Sequence, residues 1–177
     1  MRKILRILRY DWPLHFVLLL TNWLPDNVAF LRFRGALCRP FLGKCGRDLR
    51  LGRNLTFYNP ILIHIGDHVY IASGCLFMAD AIIKVQNEVL FGPYCVISSG
   101  NHTSKNGSYR YGAPQLAPIT IGRGSWVAAQ VVITAGSIIG ENSLIAAGAV
   151  VTGEIGSNVI AGGIPARVLK EQPARND

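Results

Sequence analysis

Acidic side chains are scarce in this chain: 10 Asp and Glu stand against 18 Lys and Arg in 177 residues. Charge of either sign is also thin, at 16%, while 50% of the residues are apolar, which excludes a disordered, charge-solvated polypeptide. Cysteine is limited to Cys38, Cys45, Cys75 and Cys95, with no C-x2-C pairing. Neither a disulfide framework nor a zinc ribbon is indicated, and a reduced, cytoplasmic chain is expected. The N-terminal apolar stretch WPLHFVLLLTNWLP (12–25) has 14 residues, short of the roughly 20 that span a bilayer. Trp12, His15, Asn22 and Trp23 fit the centre of a signal peptide poorly, and no small-residue cleavage site follows, so the segment is read as retained.

The basic excess is local. Residues 1–53 carry 11 basic and 3 acidic side chains, whereas residues 54–177 carry 7 of each. This argues for an anionic partner at one end rather than a generally basic protein. In MRKILRILRY, a helix places Ile4, Leu5 and Leu8 on one face and Arg2, Arg6 and Arg9 on another, and Pro13 is expected to interrupt it. Two compatible readings stay open: a helix docked over the end of the core, or an interfacial element through which residues 1–53 meet an anionic leaflet. Aromatic residues do not alternate with basic ones, which argues against nucleic-acid binding.

What the chain has instead is a period of six. Units opening on an aliphatic residue read IGDHVY (65–70), IASGCL (71–76) and FMADAI (77–82). After Ile83 and Lys84 come VQNEVL (85–90), FGPYCV (91–96) and ISSGNH (97–102), and after a gap five units run from IGRGSW (121–126) to IAAGAV (145–150). LGRNLT (51–56) and FYNPIL (57–62) look like a worn first turn. The fifth position is small or aliphatic nearly throughout: Val69, Cys75, Ala81, Val89, Cys95, Ser125, Val131, Ser137, Ser143, Ala149. Two inward positions in six suit a short strand followed by a corner, with three units closing a triangular coil. Positions 121 and 139 lie 18 apart and positions 65 and 85 lie 20 apart, one coil plus the two inserted residues. Cys75 and Cys95 share the fifth position of adjacent coils and are read as small core residues.

This pattern resembles the hexapeptide-repeat acyltransferases, which implies an all-β chain wound as a left-handed parallel β-helix. The hand comes from the resemblance, since general crossover rules favour the right. The expected division is a basic, apolar helical and connecting segment over 1–48, the β-helix over 49–165 with an insertion at 103–118, and a tail over 166–177.

His102 sits where the rhythm stops. It is the sixth residue of its unit, at an outward corner, with Asn101 in the normally small inward slot. The next unit should begin near 105 and begins at 121, after the polar, turn-rich TSKNGSYRYGAPQLAP. A lone corner histidine is ordinarily a solvated side chain; beside a long insertion in a regular scaffold, function becomes as good a reading. VLFGPYCVISSGNH and PITIGRGSWVAAQVVITAGSIIGENSLIAAGAVVT, on either side of this NG-containing loop, are similar to maltose, galactoside and nodulation-type O-acetyltransferases. The resemblance implies that His102 is a general base, that acetyl-CoA is the donor without a metal, and that sites form between subunits of a homotrimer. An imidazole suits removal of a hydroxyl proton near neutral pH.

Carried over to matching positions, the resemblance puts Trp126, Ala129, Ala147, Gly148, Thr152 and Arg167 along the pantetheine arm, with Lys170 and Arg167 suited to the nucleotide phosphates. Taken singly, the small residues could equally be corner geometry. Gly153 stands where the common pattern has Lys, which removes one phosphate contact. On the acceptor side, Ala72 stands where the maltose-type enzymes carry a sugar-contacting Asn. Tyr109, Arg110 and Tyr111 in the insertion are candidates for stacking on and hydrogen bonding to a sugar, and Asp80 and Asn101 for orienting imidazole or substrate. The basic leader ahead of RFRGALCRPFLGKCGRDLRLG resembles acetyltransferases of polysaccharide gene clusters, which implies a sugar or lipid-linked glycan acceptor at the inner face of the cytoplasmic membrane. N-acetylation of an amino sugar and a non-catalytic scaffold are the alternatives. A zinc hydratase on this fold would need three converging histidines, and His64, His68 and His102 do not stack within a chain.

Overall fold

The computed structural model describes residues 2–173, with side chains from residue 4 onward; the last tail residues, 174–177, lie outside the described residues. Short strands recur on three faces of a parallel solenoid of six coils. The first face runs from Lys44–Cys45 through Ile63–Ile65, Ile83–Val85, Ile119–Ile121 and Ile138–Ile139 to Glu154–Ile155. The second begins at Arg50–Leu51, passes through Tyr70–Ile71, Leu90–Phe91, Trp126–Val127 and Leu144–Ile145, and ends at Val159–Gly163. The third holds Thr56–Tyr58, Leu76–Met78, Val96–Ser98, Val132–Ile133 and Val150–Val151.

The register matches the six-residue reading. Ile65 pairs with Val85, Ile121 with Ile139 and Ile139 with Ile155, so early coils close in 20 residues, later ones in 18 and the last in 16. Between them Val96 pairs with Val132, the 36-residue step that contains the insertion. Unit-opening residues such as Ile71, Phe77, Phe91 and Ile133 are fully buried, as are the fifth-position residues Val69, Cys75, Cys95 and Val131. Ala81 departs from the pattern at half-buried, where the Ser99 hydroxyl accepts from its N–H at 2.9 Å. Inward serines are satisfied by carbonyls of the next coil: Ser125 donates to Gly140, Ser137 to Val151 and Ser143 to Gly156, at 2.7 to 3.0 Å. A fifth-position hydroxyl is therefore as much at home as a methyl.

Corners explain why so many polar residues sit between the apolar ones. The first–second edge is turned by Asp48, His68, Glu88, Gly124, Asn142 and Asn158, all left-handed with φ from 51 to 69°. The second–third edge is turned likewise by Asn54, Gly74, Tyr94, Gln130 and Gly148. Asn and Asp tolerate this conformation better than branched residues do.

Helices cover the N-terminal end. α1 (Arg2–Arg6) runs through one π-helical turn (Ile7–Asp11) into α2 (Trp12–Thr21), and α3 (Val28–Cys38) starts from Asn27, whose side chain accepts from the Phe30 N–H. Pro13 does not interrupt the helix. It lacks an N–H and crowds the preceding carbonyls, and the widened turn just ahead of it accommodates both defects. Arg34 of α3 is completely buried and ties the cap to the solenoid, donating to the carbonyls of Thr21, Leu24 and Leu51 and to Asp26 Oδ1. At the far end, Ala166–Glu171 folds back antiparallel on Val159–Gly163.

Candidate functional site

The solenoid is breached at the edge between the third and first faces. The chain leaves the coil at Gly100, ahead of position 103, and Gly100–His102 pairs antiparallel with Pro114–Leu116. The insertion is thus a two-stranded ribbon. Lys105 and Ser108 exchange backbone hydrogen bonds of 3.0 and 3.1 Å around Asn106 and Gly107, both at positive φ, which makes an Asn-Gly type I′ tip. Asn101 is exposed, not inward: the strand has left the prism before it reaches that slot. Ser99 is the last buried residue, and it bonds the ribbon's root to the coil below through the carbonyls of Met78 and Ala81.

His102 is exposed on this ribbon, cross-strand from Pro114, and no side chain among the described residues hydrogen-bonds its imidazole. Tyr109, Arg110 and Tyr111 are exposed on the returning limb. Beneath the ribbon, a cleft of about 480 Å³ opens on the third face, lined by Thr56, Tyr58, Asn59, Leu76, Met78 and Asp80. Asp80 closes its end against the ribbon root: a methyl on Gly100 would lie 2.5 Å from the Asp80 carboxylate. Asn59, at φ 50°, accepts from Arg6 at 2.9 Å, so α1 is pinned to the rim of the same cleft. Tyr58, Asn59 and Met78 were not among the sequence candidates. Their signal was weak, because they lie in the worn first coil and at ordinary outward positions.

The other candidates lie elsewhere. Trp126 stands outward on the second face, 47% exposed, in register with Leu90 and Leu144. Ala129, Ala147 and Gly148 stack at the second–third edge, where the Gly148 N–H donates to the Ala129 carbonyl at 2.9 Å. Lys170 and Arg167 lie on the returning strand, against Ile160 and Gly162 of the second face. Thr152 is at the third–first edge, two coils beyond the ribbon root. Within one chain the structure therefore divides the candidates. His102, Asn101 and the ribbon occupy one side of the third face; Trp126 and the small-residue column occupy the other.

Two further histidines, His64 and His68, are separate again. His64 lies in register between Lys44 and Lys84, in a recess of about 360 Å³ on the first face, and burial followed by those two cations holds its pKa below the ordinary value. His68 contacts Asp48 at 3.3 Å on the first–second edge. Among the described residues, no group of three or more His, Cys, Asp or Glu is arranged around a common metal position.

Residues 118–153 match the family described as bacterial transferase hexapeptide (six repeats). A galactoside acetyltransferase solved in complex with coenzyme A is 30% identical, with a TM-score of 0.79, covering 89% of this chain and 78% of that one. This chain belongs to the hexapeptide-repeat acetyltransferases. Among other members, the maltose O-acetyltransferase of Clostridium difficile 630 superimposes with a TM-score of 0.83 at 27% identity, covering 96% of this chain and 89% of its own. The galactoside O-acetyltransferase of Escherichia coli (strain K12) is 37% identical over 109 residues, 62% of this chain and 54% of that enzyme. This hexapeptide-repeat chain spans about half the length of the first curated relatives it matches.

Proposed function

We propose that this chain moves an acetyl group from acetyl-CoA to a sugar hydroxyl, with His102 as general base, in clefts formed between the subunits of a homotrimer. The observation that carries this reading is the breach of a regular solenoid: it presents an exposed histidine on a ribbon whose root meets Asp80 at the end of an open cleft on the third face. An identical neighbour would close that cleft if its second face and small-residue edge lay against the third face of the first.

The outward rows of the solenoid support such packing. Beyond Arg50 and Thr56 in the first coil, the second face presents Tyr70, Leu90, Trp126, Leu144 and Ile160, and the third presents Leu76, Val96, Val132 and Val150. The first face presents Lys44, His64, Lys84, Thr120, Ile138 and Glu154 in the same register. Two apolar faces and one polar face suit three prisms around an axis, each apolar face covering its neighbour's.

In the reaction, the His102 imidazole takes the hydroxyl proton as the sugar oxygen attacks the thioester carbonyl carbon. The tetrahedral adduct then expels the CoA thiolate, which recovers the proton from the imidazolium. Ala129, Ala147 and Gly148 let the pantetheine arm approach the backbone closely, while Arg167 and Lys170 meet the nucleotide phosphates. Tyr58, Asn59, Asp80 and the ribbon tyrosines receive the sugar, with Asn101 beside the base. We assign the acceptor to a surface polysaccharide precursor in the cytoplasm, a reading supported by the basic, apolar helices that cover one end of the solenoid.

The test is release of CoA thiol from acetyl-CoA across a panel of free, nucleotide-linked and lipid-linked sugars, including amino sugars. His102→Ala is expected to lower turnover by about 10²- to 10⁴-fold while acetyl-CoA binding is retained. A variant with undiminished turnover would remove the base from the mechanism, and product acetylated on nitrogen would replace the hydroxyl acceptor.

A further inference from the structure

The outward side of the N-terminal helix has the wrong chemistry for a helix whose work ends at docking on the solenoid. Its inner side is buried through Leu14, Leu18 and Thr21. Its outer side carries Ile4, Leu5, Leu8, Trp12, Phe16, Leu19 and Leu20, and the chain just beyond carries Trp23, each between 50 and 78% exposed. These residues recur every three or four positions, which makes one continuous stripe along α1, the π turn and α2. A stripe of this kind, left open to solvent, marks an interaction surface.

We propose that this stripe is an interfacial membrane anchor for a bilayer containing anionic phospholipid. Charge decides the occupant. Residues 1–53 hold 11 basic and 3 acidic side chains, so a second copy of the chain would bring like charge against like, whereas an anionic leaflet brings the opposite sign. The acids present are already engaged or turned away from the stripe. Asp26 pairs with Arg34 and Arg53, Asp48 with Arg32 and Arg50, and one oxygen of Asp11 is buried. Arg9 remains exposed beside Leu8, and Arg39 and Lys44 are exposed at the same end of the solenoid.

The mode is lying on the membrane, not spanning it. Among the described residues no helix is long and apolar enough to cross a bilayer. A helix with an apolar stripe lies in the headgroup boundary, with indoles such as those of Trp12 and Trp23 at the level where apolar and wet surroundings meet. Because Arg6 of the same helix holds Asn59 at the rim of the third-face cleft, anchoring sets that cleft at a fixed height above the lipid.

The full chain is to be sedimented with phosphatidylcholine vesicles containing about a quarter phosphatidylglycerol, and with phosphatidylcholine alone, in about 50 and about 500 mM salt. The proposal expects pelleting with the anionic vesicles at low salt, a blue shift of tryptophan emission, and release as salt rises. The double variant Leu20→Ser with Trp23→Ser is expected to bind at least about tenfold more weakly with an unchanged unfolding midpoint, because both side chains are exposed. The proposal is overturned if the chain stays in the supernatant at low salt or if the double variant binds as tightly as the parent. It is also overturned if light scattering shows the double variant to be a smaller assembly, since a second copy would then be the occupant. No readout uses acetyl-CoA, so the result stands apart from the acetyl-transfer reading.

Discussion

Asp48 shows how much a single carboxylate at a corner can organise. It accepts from Arg50 at 2.8 Å, from Arg32 of α3 at 2.8 Å, and contacts His68 at 3.3 Å. The Arg50 hydrogen bond outweighs an opposing desolvation and, with the lesser hydrogen bonds of Arg32 and His68, holds its pKa well below the ordinary carboxylate range. A depressed carboxylate contributes stability that is fully present above the unfolded value near 3.9 and is lost as pH falls through the folded value. Asp48→Asn is therefore expected to lower the unfolding midpoint at neutral pH, by an amount that shrinks as both proteins are taken below about pH 4. Melts recorded across that range check it, and a gap unchanged in acid would contradict the assignment. At this scale the sequence was partly legible. Cys75 and Cys95 were readable as core residues from their shared slot, and both thiols do donate to the Gly92 carbonyl in the interior. Arg34 was not readable, because nothing in FLRFRGALC distinguishes the one arginine that ends up wholly buried from its neighbours.

Among the elements, the strands were legible and the corners were not. The inward positions follow a fixed period, so counting found them; the left-handed residues alternate among Asp, His, Glu, Tyr, Gln, Asn and Gly, which share a conformation rather than a chemistry. The insertion likewise declared its length but not its form. Its Asn-Gly pair is a hairpin signal, yet the pairing of Gly100–His102 with Pro114–Leu116 joins residues on both sides of a polar stretch with no alternation to read. The continuation of the helix through Pro13 was missed for a different reason: a proline usually ends a helix, and here a π turn absorbs it. The ribbon's geometry carries a prediction of its own. At Gly112 an added methyl would collide with the Thr103 carbonyl oxygen, so Gly112→Ala must spread the two strands and move His102. Turnover is expected to fall by about tenfold or more with the solenoid's unfolding midpoint preserved, measured by steady-state kinetics beside a thermal melt. Unaltered kinetics would show that the ribbon does not position the base.

For the whole molecule, the family, the general architecture and, through the resemblance, sites between subunits could be read from the chain, whereas the placement of the candidates on opposite sides of the third face could not. His102 and Trp126 are 24 residues apart in sequence and stand on opposite sides of the third face, a relation that appears once the coil is closed. The proposed trimer would bring these two sides together and would give the apolar second and third faces a partner. The most direct measurement is a subunit-mixing assay. His102→Ala removes the base from one side of each cleft, and Ala147→Trp blocks the arm on the other; each variant alone is expected to be nearly inactive. Unfolded and refolded together in equal amounts, they should recover about a quarter of the parent's turnover, the fraction of seams that pair an intact histidine edge with an intact small-residue edge. No recovery from the mixture, with both variants folded and assembled, would contradict a site shared between chains.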